Sequence, residues 1–186
     1  MNDFDKASWD EHYRHPGHDH HGHGRPHPQL VAAASTLTPG SALDSGCGEG
    51  ADALWLAEQG WRVTAVDIST TALARARTRP GADRVEWVEA DLAAWAPDAA
   101  YDLVSSQFVH VPEGGYDSYY RALAGAVAPG GTLLVAGHGA GGHDHSGTAQ
   151  PAFDPAAVIS VLDPHGWEAL ASEEGDAVVL RALRLR

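Results

Sequence analysis

The residues with the clearest chemical meaning lie together, in Ala42-Leu43-Asp44-Ser45-Gly46-Cys47-Gly48-Glu49-Gly50. A short apolar run leads into a loop with glycine at alternate positions, and a helix-forming run from Ala51 to Gln59 follows directly. Glycine lets a backbone turn sharply and approach a ligand closely. The start of the helix presents unpaired N–H groups to that ligand. Farther on, the strand-like run from Arg62 to Val66 ends in Asp67, which can accept two hydrogen bonds from a ribose diol. Loop, helix start and strand-end acid together describe a site for a nucleoside-bearing cofactor.

Two cofactor classes use such a loop. Gly46-Cys47-Gly48-Glu49-Gly50-Ala51 fits the dinucleotide fingerprint G-x-G-x-x-G/A. A pyrophosphate lying there would meet Asp44 just before the loop and Glu49 within it. S-adenosylmethionine (SAM) has no phosphate and carries an ammonium and a sulfonium, which acidic groups suit.

Further motifs follow in order. Val66-Asp67-Ile68-Ser69 closes a strand, Glu89-Ala90-Asp91-Leu92 is an acidic motif, Tyr101-Asp102-Leu103-Val104-Ser105 is a strand, and Ala128-Pro129-Gly130-Gly131-Thr132-Leu133-Leu134 turns into the next. With the Asp44–Gly50 loop, this set resembles the class I SAM-dependent methyltransferases over residues 41–135. Trp9-Asp10-Glu11 and Gly24-Arg25-Pro26-His27-Pro28 are similar to the small tellurite-resistance and thiopurine-methyltransferase-like group. The resemblance implies SAM as cofactor and methyl transfer to a small-molecule nucleophile (sulfur, selenium or tellurium, oxygen or nitrogen), releasing S-adenosylhomocysteine (SAH). It implies Asp44 at the methionine end, Gly46, Cys47, Gly48 and Gly50 along the loop, Asp67 with Ile68 at the ribose, Asp91 with Leu92 at the adenine, and Gln107 at the end of strand four. Glu49 either joins this set or only favours the helix N-terminus electrostatically. Two other readings stay open: a SAM- or metal-binding regulatory module without turnover, and a nicotinamide oxidoreductase.

The elements that position these residues alternate. Ser41–Ser45, Arg62–Asp67, Val85–Ala90, Tyr101–Gln107 and Thr132–Ala136 read as strands. Helices are expected over Gln29–Leu37, Ala51–Gln59, Thr70–Thr78 with Ser69 as N-cap, Tyr116–Val127, and Pro155–Leu162 capped by Asp154. Trp167–Glu173 and Ala177–Arg184 read as a closing hairpin. Ala42–Leu43, Val63–Val66 and Leu133–Val135 are apolar on both faces, as in buried parallel strands. The fold class is therefore α/β, doubly wound, with helices on both faces. A mostly parallel seven-stranded sheet with one antiparallel strand follows from the resemblance. One domain is expected over residues 1–186, with a His/Gly-rich lid segment at 1–28, a SAM-binding core at 41–135 and a His/Gly-rich active-site loop at 137–151. Loops of that length are functional or disordered.

Ser106, Gln107 and His110 come at the end of strand four, where open α/β sheets bind ligands. His110 is either a general base or a residue that shapes the pocket. Of twelve histidines, seven lie from His12 to His27, and His138, His143 and His145 follow strand five. No C-x₂-C or H-E-x-x-H spacing accompanies them, so incidental divalent-metal binding is expected rather than a catalytic metal. The formal net charge is −13 and no basic patch stands out, which argues against nucleic acid. The single cysteine excludes an intrachain disulfide, and Cys47 reads as a small loop residue rather than a nucleophile. No apolar run has the length of a membrane span, and residues 1–14 are unlike a signal peptide. A soluble cytoplasmic protein is expected.

Overall fold

Strands that are apolar on both faces need cover on both sides, and the computed structural model supplies it. It describes residues 5–14, 24–92, 94, 95, 97, 99–111, 114–140 and 152–186. Helices α1 (Lys6–Arg14) and α2 (Pro28–Ala34) come first. Then β1 (Ser41–Ser45), α3 (Ala51–Glu58), β2 (Arg62–Asp67), α4 (Thr70–Ala76), β3 (Val85–Glu89) and β4 (Tyr101–Gln107) alternate. They are followed by α5 (Tyr116–Gly125), β5 (Val127–His138), α6 (Pro155–Ile159), β6 (Trp167–Glu174) and β7 (Ala177–Arg184). The strands form one seven-stranded sheet in the order β3-β2-β1-β4-β5-β7-β6. Strands β1 to β5 pair in parallel, and β7 runs antiparallel to β5 and β6.

Side chains alternate between two cores. Ala42, Val63, Ala65, Leu103 and Leu134 join Leu30 of α2 and Leu54 of α3 on one face. Leu43, Val66, Val104, Leu133 and Val135 join Leu123 of α5 and Val158 of α6 on the other. Each fully buried leucine stabilises by roughly 1.5–3 kcal/mol. Ser69 caps α4 by accepting the Ala72 amide, and Asp154 caps α6 by accepting the Ala156 amide, with Pro155 at the first helical position.

The expected helix to Val127 stops at Gly125, and β5 starts at Val127 rather than Thr132. Val127 pairs with Tyr101 across a register shift, and at the other end Gly137 and His138 pair with Val178 and Ala177. Sheet pairing thus lengthens β5 at both ends and carries His138 towards the site. Among the described residues, no helix is long and apolar enough to cross a membrane.

The strand order reverses between β1 and β4. Ser45 at the end of β1 is level with Val66 on one side and Ser106 on the other. A doubly wound sheet opens its ligand crevice at such a reversal, beyond the carboxyl ends of the strands.

Candidate cofactor and acceptor site

The glycine loop leaves β1 at this reversal. The amides of Gly46 and Cys47 both donate to the Val66 carbonyl, at 2.8 and 3.0 Å, and the Gly48 amide donates to Asp67 Oδ2 at 2.8 Å. Gly46 and Gly48 have φ of +75° and +52°. A Cβ on Gly46 would run into Val109, and one on Gly48 would lie 2.7 Å from the Tyr13 hydroxyl. Left-handed backbone and close neighbours both require glycine here. The loop borders a cavity of about 660 Å³. Asp44, Cys47, Asp67, Ile68, Asp91 and Leu92 line it, as do Gln107, His110 and the α1 residues Trp9, His12 and Tyr13.

The loop is built against a phosphate. Three of its amides are committed to β2. The Ala53 amide in the first turn of α3 serves the Asp44 carboxylate, and Asp52 stands beside it. A pyrophosphate would find its usual donors taken and carboxylates in their place.

The buried acids explain what such a cavity accepts. Burial, then the nearby Asp52 and Asp67, push the Asp44 carboxyl well above its ordinary value, against the pull of the Ala53 amide. Burial also raises Asp67, opposed by the Ser69, Gly48 and Ile68 amides. The Cys47 thiol is pushed up by burial and by Asp67 and Asp44, so it stays a neutral thiol. Asp44 Oδ2 and Gln107 Oε1 are buried with no hydrogen-bond partner among the described residues. Both orphans are acceptors, so the wall calls for a ligand that brings donors and positive charge. The ammonium, sulfonium and ribose diol of SAM fit that demand.

The other end of the cavity is aromatic. Trp9 lies 5.8 Å from the His110 ring and 5.4 Å from His12, centroid to centroid. Phe108 stacks on His27 at 5.2 Å and meets His138 edge-on at 4.9 Å. Phe108 holds φ of +53°, an uncommon value for a residue with a Cβ and one that accumulates at functional sites. His27 is fixed by Asp52, whose carboxylate takes its amide and its Nδ1, each at 2.7 Å.

Not every expected residue lies on the wall. Gly50 stands behind it as the N-cap of α3, where a Cβ would collide with the Trp87 ring. Ser106 turns below it, its hydroxyl 2.8 Å from that of Tyr119, whose phenol burial pushes up to about 12. The Glu49 carboxylate lines the rim but pairs with Arg75 at 2.6 Å. Residues 1–4 and 15–23 of the first segment and 141–151 of the second, including His18, His20, His21, His23, His143 and His145, lie outside the described residues. His27, Asp52, Phe108 and Asp10 were not marked by the sequence as site residues. Their nearest signals were the Trp9-Asp10-Glu11 and Gly24-Arg25-Pro26-His27-Pro28 motifs.

Comparison with known proteins agrees with this geometry. The family model described as "Methyltransferase domain" matches residues 42–131. The trans-aconitate 2-methyltransferase of Paracidovorax citrulli is 39% identical over 119 residues, covering 60% of this chain and 44% of that protein. The chain spans about half the length of the curated relatives it matches. A solved structure from the conversion of a disulfide bond into a thioacetal group during echinomycin biosynthesis has a TM-score of 0.77 at 22% identity, covering 97% of this chain and 91% of that one. A DhpI–SAH complex gives 0.67 at 25% identity, covering 84% and 82%. The matched domain is the stretch that builds the glycine loop, Asp67 and the crevice between β1 and β4, and over residues 42–131 the chain carries a methyltransferase domain similar to those of the class I SAM-dependent enzymes.

Proposed function

We propose that this protein transfers the methyl group of SAM to a small-molecule nucleophile. One observation carries the reading: the buried wall around the glycine loop offers unpartnered acceptors, Asp44 Oδ2 and Gln107 Oε1, beside Asp67. In this reading Asp44 and Gln107 take the ammonium and Asp67 takes the ribose diol. Ile68 and Leu92 flank the adenine and Asp91 accepts from its amino group. Gly46, Cys47 and Gly48 allow close backbone approach, while Gly50 supports the loop from behind and Glu49 acts on the rim.

Bound SAM supplies a methyl group already activated on a sulfonium, open to in-line displacement with SAH leaving. The chain's own part is to hold the nucleophile among Trp9, His12, Phe108 and His110 and to exclude water. A sulfur, selenium or tellurium nucleophile needs little base assistance. For a hydroxyl or a protonated amine, His110 is the group at hand. The small-molecule acceptor in the name of the trans-aconitate relative supports this class, as does the formal net charge of −13, which disfavours nucleic acid. A cytoplasmic setting accords with the same composition.

Thermal shift and calorimetry test the reading. At a hundredfold excess over Kd, a ligand of the folded state adds about 2.7 kcal/mol, or about 5–10 °C for a domain of this size. SAM and SAH are expected to raise Tm, NAD(H) is not, and Asp67→Ala is expected to weaken SAM binding in a folded protein. Stabilisation by NAD(H) but not by SAM or SAH overturns the assignment.

A further inference from the structure

Helix α1 stands outside the alternating strand–helix order, yet it supplies Trp9, His12 and Tyr13 to the cavity wall. Asp10 holds it there. This residue is 8% exposed, and its carboxylate meets the start of α4 some sixty positions away in the chain. Oδ1 accepts the Ser69 hydroxyl at 2.7 Å and the Thr71 amide at 3.0 Å, and the Thr70 hydroxyl lies 3.3 and 3.1 Å from the two oxygens. Lys6, one turn earlier, donates to the Thr70 hydroxyl at 2.8 Å and the Ile68 carbonyl at 3.2 Å. It also pairs with Glu89 at 2.9 Å and with Asp10 at 3.4 Å. Burial favours a neutral Asp10 carboxyl, but the Thr71, Ser69 and Thr70 donors and Lys6 together outweigh it. They hold Asp10 far below its ordinary range, charged at neutral pH.

Ser69 is shared between this clamp and the cofactor acid. Its amide donates to Asp67 Oδ1 at 2.8 Å, while its hydroxyl donates to Asp10 and accepts from the Ala72 amide. The other Asp67 oxygen holds the Gly48 amide, and the Tyr13 hydroxyl stands directly against Gly48. The contacts close a ring: Asp67 to Ser69, Ser69 to Asp10, Asp10 through α1 to Tyr13, Tyr13 to Gly48, and Gly48 back to Asp67.

We propose that Asp10 is a positioning residue that couples cofactor engagement at Asp67 and Gly48 to the docking of α1. This rests on the SAM reading above. A ligand that fixes Asp67 steadies Ser69, and Ser69 holds Asp10. By linkage, docked α1 strengthens the hold on the cofactor by the same factor. Asp10 touches no reacting atom. It acts through Tyr13, which it keeps against Gly48, and Trp9, which it keeps beside His110.

The test uses the full chain, SAH as ligand and trypsin as the reporter of α1, which carries cleavage sites at Lys6 and Arg14. In the wild type, SAH is expected to slow cleavage at both sites. Asp10→Ala is expected to speed it without ligand and to weaken SAH binding by about tenfold. The far-UV spectrum should remain that of the wild type. Asp10→Asn keeps one acceptor oxygen and recovers part of the affinity. In a Trp9→Ala/Tyr13→Ala background, Asp10→Ala is expected to cause no further loss, because the rings through which it acts are gone. Wild-type SAH affinity with unchanged cleavage in Asp10→Ala overturns the proposal, and so does an affinity loss that persists in full without the two rings. A wild type that does not bind SAH sinks the SAM reading instead. The ligand-free cleavage rates still decide whether Asp10 docks α1.

Discussion

Replacing Asp44 by asparagine should stabilise the empty protein and weaken its hold on SAM. Asp44 is 2% exposed, and its Oδ2 has no hydrogen-bond partner among the described residues. Burial and the charges of Asp52 and Asp67 already push its carboxyl well above the ordinary range. The amide keeps the shape and removes the charge. The amide still leaves a neutral polar atom there, so what it relieves is the excess cost of a charged over a neutral orphan, on the order of the 1–3 kcal/mol that one buried unsatisfied group costs. At about 2–4 °C per kcal/mol for this chain length, ligand-free Asp44→Asn should melt about 2–12 °C above wild type. The pH dependence has a definite sign. A raised carboxyl pKa means that the folded state binds its proton more tightly than the unfolded chain. The resulting stability is present at low pH and is lost as pH rises through the raised value. The gap between variant and wild type should therefore be smallest at low pH and widen as pH rises through the raised value. SAM affinity should fall by roughly ten- to a hundredfold, the worth of about 1.5–3 kcal/mol for a hydrogen bond to a charged group. Binding of the cationic cofactor should also expel a proton from wild-type Asp44 and none from the amide of the variant. Melting curves across pH, with and without SAM, and calorimetry in two buffers of different ionisation enthalpy measure each part. An Asp44→Asn protein that melts below wild type at every pH, or that binds SAM equally well, refutes the reasoning.

Gly48→Ala places a Cβ 2.7 Å from the Tyr13 hydroxyl at φ of +52°, so it should lose about 1–2 kcal/mol of stability and bind SAH more weakly; an unchanged Tm and affinity would contradict the close approach. His110→Gln should lower kcat/KM by about 10²–10⁴ for a hydroxyl or amine acceptor but by less than about tenfold for a thiol. An equal loss on both acceptor types would make His110 a shaping residue rather than a base. Chelator-treated protein should keep its methyl transfer, since the histidine tracts carry no C-x₂-C or H-E-x-x-H ligand spacing; activity lost and then restored by one equivalent of a single divalent ion would show a catalytic metal.

The sheet was legible because its signal is local. Ala42-Leu43 and Leu133-Leu134-Val135 are apolar at both parities, and the structure sends successive residues to opposite cores. Ser69 and Asp154 announced their helices because a cap needs only its own side chain and an amide two or three residues on. The ends of β5 were not legible. Val127 is apolar and follows a helical pattern, so its pairing with Tyr101 depends on a strand already in place. His138 extends β5 only because Ala177 lies opposite.

The site divides along the same line. Gly46, Gly48 and Asp67 could be read because the loop and the acid that closes it belong to one strand–helix–strand unit. Gly50 was grouped with them by spacing, but spacing does not reveal that the Trp87 ring lies behind it. Asp52 resembles any acid in the first turn of a helix, and only folding brings His27 to it across 25 positions. Asp10 and Ser69 go further, because each has an ordinary local explanation. One is an acid on a polar helix and the other an N-cap. Ser69 can cap α4, support Asp67 and hold Asp10 at once because its hydroxyl both accepts and donates while its amide donates separately. Alanine at position 69 would forfeit the cap and the tie to α1 together but keep the amide bond to Asp67. Asp67 is therefore secured by backbone, and the wall above it by a side chain.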